Sequence, residues 1–135
     1  MNKIDINKVT IQLWIGNNFL EEEKYQQYFQ QFEGIQKDVL NPKPRCLFCA
    51  DIGEIAYITE KLVALERFSS SQKIEYIIDS IKVNKNEKKR IYEKCIELGI
   101  SKANALFWYK ASELTLKKPY KENYNGLKYI GIFNI

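Results

Sequence analysis

Two cysteines three residues apart, Cys46 and Cys49 in "CLFC", have the spacing that serves zinc sites and thiol redox centres. A structural zinc takes four ligands. The chain has one further cysteine, Cys95, and no histidine, so only Cys95 and a carboxylate would complete the set. Redox chemistry wants the pair at a helix N-terminus, where the dipole lowers the thiol pKa, and Leu47 and Phe48 behind Pro44 and Arg45 read as a strand. Two small core or edge thiols is the favoured reading, with metals and cofactors not expected.

The absence of histidine removes the usual general base and with it the Ser-His and Cys-His dyads. Asp51 and Glu54 form a carboxylate pair of the kind used in acid-base work, although acidic pairs on loops are commonly just solvated. Neither GxxxxGK[ST] nor GxGxxG occurs, so no phosphate cradle is proposed. A non-enzymatic protein is expected. "KNEKKRIYEK" at 85–94 is the best nucleic-acid candidate, with Lys85, Lys88, Lys89 and Arg90 able to meet phosphates from one helix. Glu87 and Glu93 interleave with these cations, which favours a mixed-charge solvated face and makes nucleic acid the runner-up partner.

These residues need elements to hold them. Val9, Ile11, Leu13 and Ile15 alternate with polar residues and Trp14, the period of a half-buried strand, which Gly16 ends. Asn18 as N-cap with Glu21 in the capping-box position predicts a helix. Tyr25, Tyr28, Phe29 and Phe32 make its aromatic stripe, Gly34 its stop, and Trp14 is expected to pack under it. Pro42 and Pro44 fix a loop, "CLFCA" follows as a short strand, and residues 54–68 suit helix or strand equally. Ser69 to Ser71 cap a helix with the stripe Ile74, Ile77, Ile78 and Ile81; Asn84 with Glu87 opens another, burying Ile91, Cys95 and Leu98 and stopping at Gly99. "ANALFWYK" at 103–110 reads as a central strand buried on both faces and "LKYIGIFNI" as a closing strand, with Asn125-Gly126 as a turn. The sum is an α+β fold: one mainly antiparallel sheet of four to five strands with about three helices covering one face.

At 135 residues with 45% hydrophobic and 28% charged residues, the chain fits one domain, 1–135, with one core. No apolar leader and no run of about 18 apolar residues is present, so a soluble cytoplasmic protein with no membrane partner is expected, its three thiols free. Residues 1–66 carry seven Lys or Arg against ten Asp or Glu, and residues 67–135 fourteen against seven. If sequence halves map onto faces, one surface is acidic and another basic.

Several segments together resemble the immunity protein 22 family of bacterial polymorphic toxin and contact-dependent inhibition loci. They are "VTIQLWIGN" with "EEEKYQQYF", "CADIGE" with "EKLVALERF", "KCIELGISKANALFWYK", and "LKYIGIFNI". Trp14 and Gly16 match the family's W-x-G, and Ala103-Asn104 its Ala-Asn pair entering a strand that ends in Tyr109. The segment "DIGEIAYITEK" is less acidic than the family's, and the cysteines are not part of its pattern. The resemblance implies a non-catalytic protein that binds the C-terminal domain of one cognate toxin and neutralises it by occluding the active site. A basic, nuclease-type toxin would face the acidic half, which singles out Glu21, Glu22, Glu23, Asp51, Glu54 and Glu60. Tyr120 and Tyr124, in "KKPYKENYNG", are either exposed anchors or a lid folded back on the sheet. The oligomeric state stays open, since the C-terminal strand could lie at a sheet edge.

Overall fold

The computed structural model describes residues 10–32, 34, 40–63, 67–110 and 114–135. Val9, Leu65 and Glu66 fall outside these. In chain order the elements are β1 (Thr10–Gly16), α1 (Glu22–Gln27), α2 (Leu47–Ile52), a 3₁₀ turn (Thr59–Lys61), β2 (Leu62–Val63), β3 (Arg67–Lys73), α3 (Ile74–Asp79), α4 (Lys85–Glu97), β4 (Lys102–Tyr109) and β5 (Leu127–Asn134). The architecture is α+β, with an antiparallel five-stranded sheet in the order β2-β4-β1-β5 and β3 also paired to β4.

Side chains alternate across a strand, so β1 and β4 each feed two cores. Ile11, Leu13, Ile15 and Leu106 face α3 and α4 and their isoleucines, Ile74, Ile77, Ile78, Ile81 and Ile91. Trp14, Ala105, Phe107 and Tyr109 face the other way, against Tyr25, Tyr28 and Phe29 and against Phe48 and Ile52 of α2. Helices therefore cover both faces, and the expected one-sided cover is corrected. β1 is likewise buried on both sides rather than half-buried: Gln12 is 1% exposed and Trp14 0%. Gln12 meets this by bonding Leu114 O (2.5 Å) and the Tyr129 hydroxyl (2.8 Å), so a polar letter in a strand marked a buried partner, not a wet face.

Of the two helices over the isoleucine face, α4 starts at its expected cap and α3 does not. Asn84 Oδ1 accepts from the Glu87 N–H at 2.9 Å and opens α4 as a capping residue should. Ser69 to Ser71 do not cap α3; they belong to β3, and the chain turns directly from strand to helix at Lys73 without a side-chain cap. On the aromatic face the departures are larger. "CLFCA" is helical, because Cys46 Sγ accepts from the Cys49 N–H and Gly53 takes the left-handed conformation (φ 84°) that closes the turn. The stretch from Glu54 to Val63 is irregular apart from one 3₁₀ turn and two strand residues. α1 is shorter than its stripe: Tyr28 caps it, and Phe32 is 59% exposed, held instead by Arg45 through main-chain bonds and by the guanidinium beside its ring.

Gly16 explains the halt at the end of β1. A Cβ there would stand 2.7 Å from Leu127 Cα and 2.8 Å from Gly126 O, so only glycine lets the start of β5 approach. The Asn125-Gly126 turn forms as expected, with both residues at positive φ (58° and 91°) between the bridged Tyr124 and Leu127.

Candidate interaction surfaces

The chain leaving β1 is fixed by a polar corner. Asn18 N–H donates to Asn104 Oδ1 (2.7 Å), and Asn104 Nδ2 returns bonds to Asn18 O (2.8 Å) and Phe68 O (3.0 Å). Asn18 Oδ1 accepts from Leu20 N–H and from Arg67, while its amide donates to Asn125 O. This corrects the expected N-cap: the Asn18 side chain is taken by tertiary partners, and α1 begins three residues later, behind Glu21, with no side-chain cap.

Arg67 ties this corner to α1. Its guanidinium lies 4.2 Å from the Tyr25 ring centroid, donates to Asn18 O and Leu20 O, and pairs with Glu22 Oε2 at 2.9 Å. Bonds from Gln26 and then Arg67 hold the Glu22 carboxyl below the usual range. A cleft of about 550 Å³ opens beside it, between Phe19 and Leu20 on one wall and Arg67 and Phe68 on another. Phe19 is 63% and Leu20 48% exposed, immediately before the exposed Glu21, Glu22 and Glu23.

Glu23 also borders a second cleft, of about 580 Å³, whose far side carries Tyr57 and Thr59. Glu60 follows Thr59 and is exposed. Of the three glutamates, Glu23 shares this cleft with Thr59, the residue before Glu60. Asp51 stands apart and is occupied: it accepts from the Tyr28 hydroxyl (2.6 Å) and pairs with Lys121 (2.7 Å). Burial, then that bond to Asp51, raises the Tyr28 pKa. Glu54 is exposed beyond the end of α2 and does not join Asp51 as a catalytic pair; its N–H donates to Cys49 O.

Tyr124 folds back as a lid. It is fully buried, its ring against Trp14 and its hydroxyl accepting from the Lys121 N–H. Tyr120 is 51% exposed and sets its edge on Tyr129. Trp14 itself stacks on Phe107 (4.8 Å) and meets Phe48 edge-on, so it packs under α2 and the Tyr124 lid more than under α1.

The cysteine pair does reach a helix N-terminus, against the strand expectation, but burial and then the neighbouring Cys49 thiol push Cys46 up to about 12. At neutral pH it is a protonated thiol and a poor nucleophile. Among the described residues no group of three or more Cys, Asp or Glu is placed to hold a metal ion, and no helix is long and apolar enough to cross a membrane. On α4, Lys88 pairs with Asp79, Arg90 with Glu87 and Lys94 with Glu97, the mixed-charge face anticipated.

A family model described as immunity protein 22 matches residues 11–135. The chain belongs to that family. No curated protein and no solved structure matches it. In this immunity protein 22 chain the motif positions prove architectural: Trp14 centres the aromatic core, Gly16 admits β5, and Asn104 clamps Asn18. Tyr109 accepts the Ile58 N–H and anchors the irregular stretch below α2. Sequence reasoning missed Arg67, which sat in the ambiguous stretch 54–68. Asn104 did carry a signal, a lone amide in an otherwise apolar strand, which calls for a buried partner.

Proposed function

We propose that this chain binds one cognate toxin domain without catalysing any reaction and neutralises it by covering the toxin's active site. Membership of the immunity protein 22 family carries the reading; the exposed corner at Phe19 to Glu23 supplies a surface for it. Aromatic rings are enriched at the centres of interfaces and charged groups lie at their polar rims, the arrangement Phe19 and the glutamates after it offer. Among the described residues the carboxylates of Glu21 and Glu23 make no ion pair, so their charge is available to a cationic toxin, whereas Asp51 is already paired with Lys121. A basic, nuclease-type target fits this acidity, since complementary charge speeds encounter and excludes wrong partners. Glu60 extends the same surface, and Glu54 and Tyr120 are peripheral candidates.

Co-expression with the toxin domain encoded immediately upstream tests the reading. Protection of the cell and co-purification of a complex are expected; failure of both overturns it. Reversal of Glu21, Glu22 and Glu23 to lysine should slow association at low salt by about tenfold or more. Unchanged association would move the interface elsewhere on the molecule.

A further inference from the structure

Cys46 is the N-cap of α2 and Cys49 its third residue. The turn between them brings the two sulfurs to 2.7 Å, and Cys46 Sγ accepts the Cys49 N–H at 3.1 Å. A disulfide joins sulfurs at about 2.0 Å, so rotation of the side chains closes this gap without moving the backbone. Access to the pair is unequal: Cys46 is half-buried and Cys49 is 0% exposed. An outside reagent therefore meets Cys46 first, with Cys49 behind it. Cys95 is also 0% exposed but belongs to the core on the opposite face of the sheet, away from the pair.

The surroundings favour thiols over thiolates. Gln31 Oε1 lies 3.5 Å from Cys49 Sγ, and an acceptor there suits S–H rather than S⁻. Arg45, next to Cys46 in sequence, spends its guanidinium on Phe32 O, Gly34 O and the Phe32 ring. Burial and then the bond with Cys49 push Cys46 up to about 12. Sites that stabilise their thiolates make the dithiol form the favoured one; a pair left without that support is the more easily held as a disulfide. The scarcity of thiolate slows attack, so the pair suits slow equilibration with its surroundings rather than rapid turnover.

We propose that Cys46 and Cys49 form a redox modification site, closed to an internal disulfide by exchange with a low-molecular-weight disulfide, RSSR. The Cys46 thiol gives up its proton and its sulfur attacks one sulfur of RSSR; the RS–SR bond breaks and the departing sulfur takes up a proton as RSH. Cys49 Sγ then gives up its proton and attacks Cys46 Sγ; the mixed S–S bond breaks and a second RSH leaves. The two cysteines lose two electrons and two protons, and RSSR gains both. The bond replaces the sulfur contact at the start of α2 and fastens its first turn. Gln31 Oε1 loses the Cys49 donor but keeps the Tyr57 N–H at 3.1 Å, so the effect stays local to α2. Metal capture fits less well, because among the described residues no third Cys, Asp or Glu joins the two sulfurs.

The test equilibrates the reduced full chain, under native conditions, in mixtures of reduced and oxidised glutathione. Acid quenching, alkylation and mass mapping then read each cysteine. The Cys46–Cys49 disulfide should accumulate as the oxidised share rises, with the glutathione adduct on Cys46 about tenfold or more below it and Cys95 still free. Cys49→Ala should trap that adduct on Cys46. Cys46→Ala, which leaves the buried thiol alone, should take up no glutathione, and it keeps the test open even if Cys49→Ala fails to fold. In the oxidised parent chain, amide exchange at Cys49 and Ala50 should slow about tenfold or more and recover on reduction with dithiothreitol. Free thiols at equilibrium in oxidised glutathione, a persistent Cys46 adduct in the parent chain, oxidation of Cys95 alongside the pair, or unchanged exchange at Cys49 and Ala50 would each overturn the proposal. No toxin enters the experiment, so its failure leaves the toxin-binding reading standing.

Discussion

The two faces of the sheet are built from different materials. Toward α3 and α4 the core is aliphatic: Ile74, Ile77 and Ile78 of α3 and Ile81 just past its end fall at i, i+3, i+4 and i+7, and the thirteen-residue α4 adds Ile91 and Cys95. Toward α1 and α2 it is rings, and its cover is two six-residue helices plus irregular chain. A branched aliphatic reaches only its neighbours, so it needs a regular helix to present a continuous row. Rings reach farther and meet edge-to-face or tilted at centroid distances of 5.0 to 5.9 Å around Phe48 and Phe29, so irregular chain suffices beside two short helices where the other face has the long α4. The loops of this face are then pinned by side chains to main chain: Tyr57 hydroxyl to Phe29 O, Tyr109 to Ile58 N–H, Gln31 to Tyr57. The exposed acidic corner sits on this loop-rich side, where surface loops on a fixed scaffold are free to carry recognition.

The contrast breaks most sharply at Trp14. Trp14→Ala should cost about 3–5 kcal/mol and loosen the loops that lean on its neighbours. Ile77→Ala, on the other face, should cost about 2–5 kcal/mol with the irregular stretch at 54–58 left intact. Urea unfolding gives the stability, and limited proteolysis reads the loops. Equal protease sensitivity in the two variants would mean that the faces are not separately organised.

Next comes the polar corner that joins them. Asn104→Leu takes the acceptor from the buried Asn18 N–H and the amide donor from Phe68 O, and leaves Asn18 O with Arg67 alone, at a cost of roughly 3 kcal/mol. Hydrogen exchange should quicken first at Asn18 and Leu20. A loss under about 1 kcal/mol would show that water replaces the amide at little cost.

How much of this could be read from the chain follows the same division. The isoleucine stripe that begins in α3, the Asn84 cap of α4 and the Asn125-Gly126 turn are local patterns, legible because the residues that dictate them lie within a few positions of one another. β4 was legible as a strand buried on both sides, yet the consequence for helix placement was not drawn. The aromatic side was misread where distant partners overrule local preference. Asn18 has the spacing of a cap and is claimed by Asn104 and Asn125; Phe32 continues a helical stripe and is diverted by Arg45; "CLFCA" is too short for periodicity to choose, and a thiol cap decided it. The acidic corner was legible as charge, but Arg67 and the clefts beside it depend on strand pairing that no window of sequence contains.

The tyrosines sharpen the comparison by pH. Tyr25 is fully buried, its hydroxyl has no partner among the described residues, and burial pushes its pKa up to about 12 from an ordinary value near 10. The unfolded chain therefore releases this proton first. Stability from Tyr25 is complete below pH 10 and falls by about 1.4 kcal/mol per pH unit as pH rises toward 12. Tyr25→Phe should remove that slope and gain roughly 1 kcal/mol at neutral pH by deleting the unpaired hydroxyl. Tyr28→Phe should instead lose about 1 kcal/mol, because Asp51 forfeits a bond. Denaturant melts at pH 7 and pH 11 distinguish these; a stabilised Tyr28→Phe would contradict the bonding at Asp51.

The smallest effect separates the two ways of starting a helix. Asn84 caps α4 through an oxygen, and Asn84→Ala should cost about 1 kcal/mol. Cys46 caps α2 through sulfur, a weak acceptor, so Cys46→Ala should cost only a few tenths of a kcal/mol from the cap itself. Cys46→Ser restores an oxygen acceptor at the same place and should match or exceed the parent chain in a urea melt. If Cys46→Ser is instead destabilised by 1 kcal/mol or more, the thiol is held for its packing against the rings rather than for its bond. In that event α2 is helical because the aromatic core needs Phe48 and Ile52 on one side, and the cap follows from the packing.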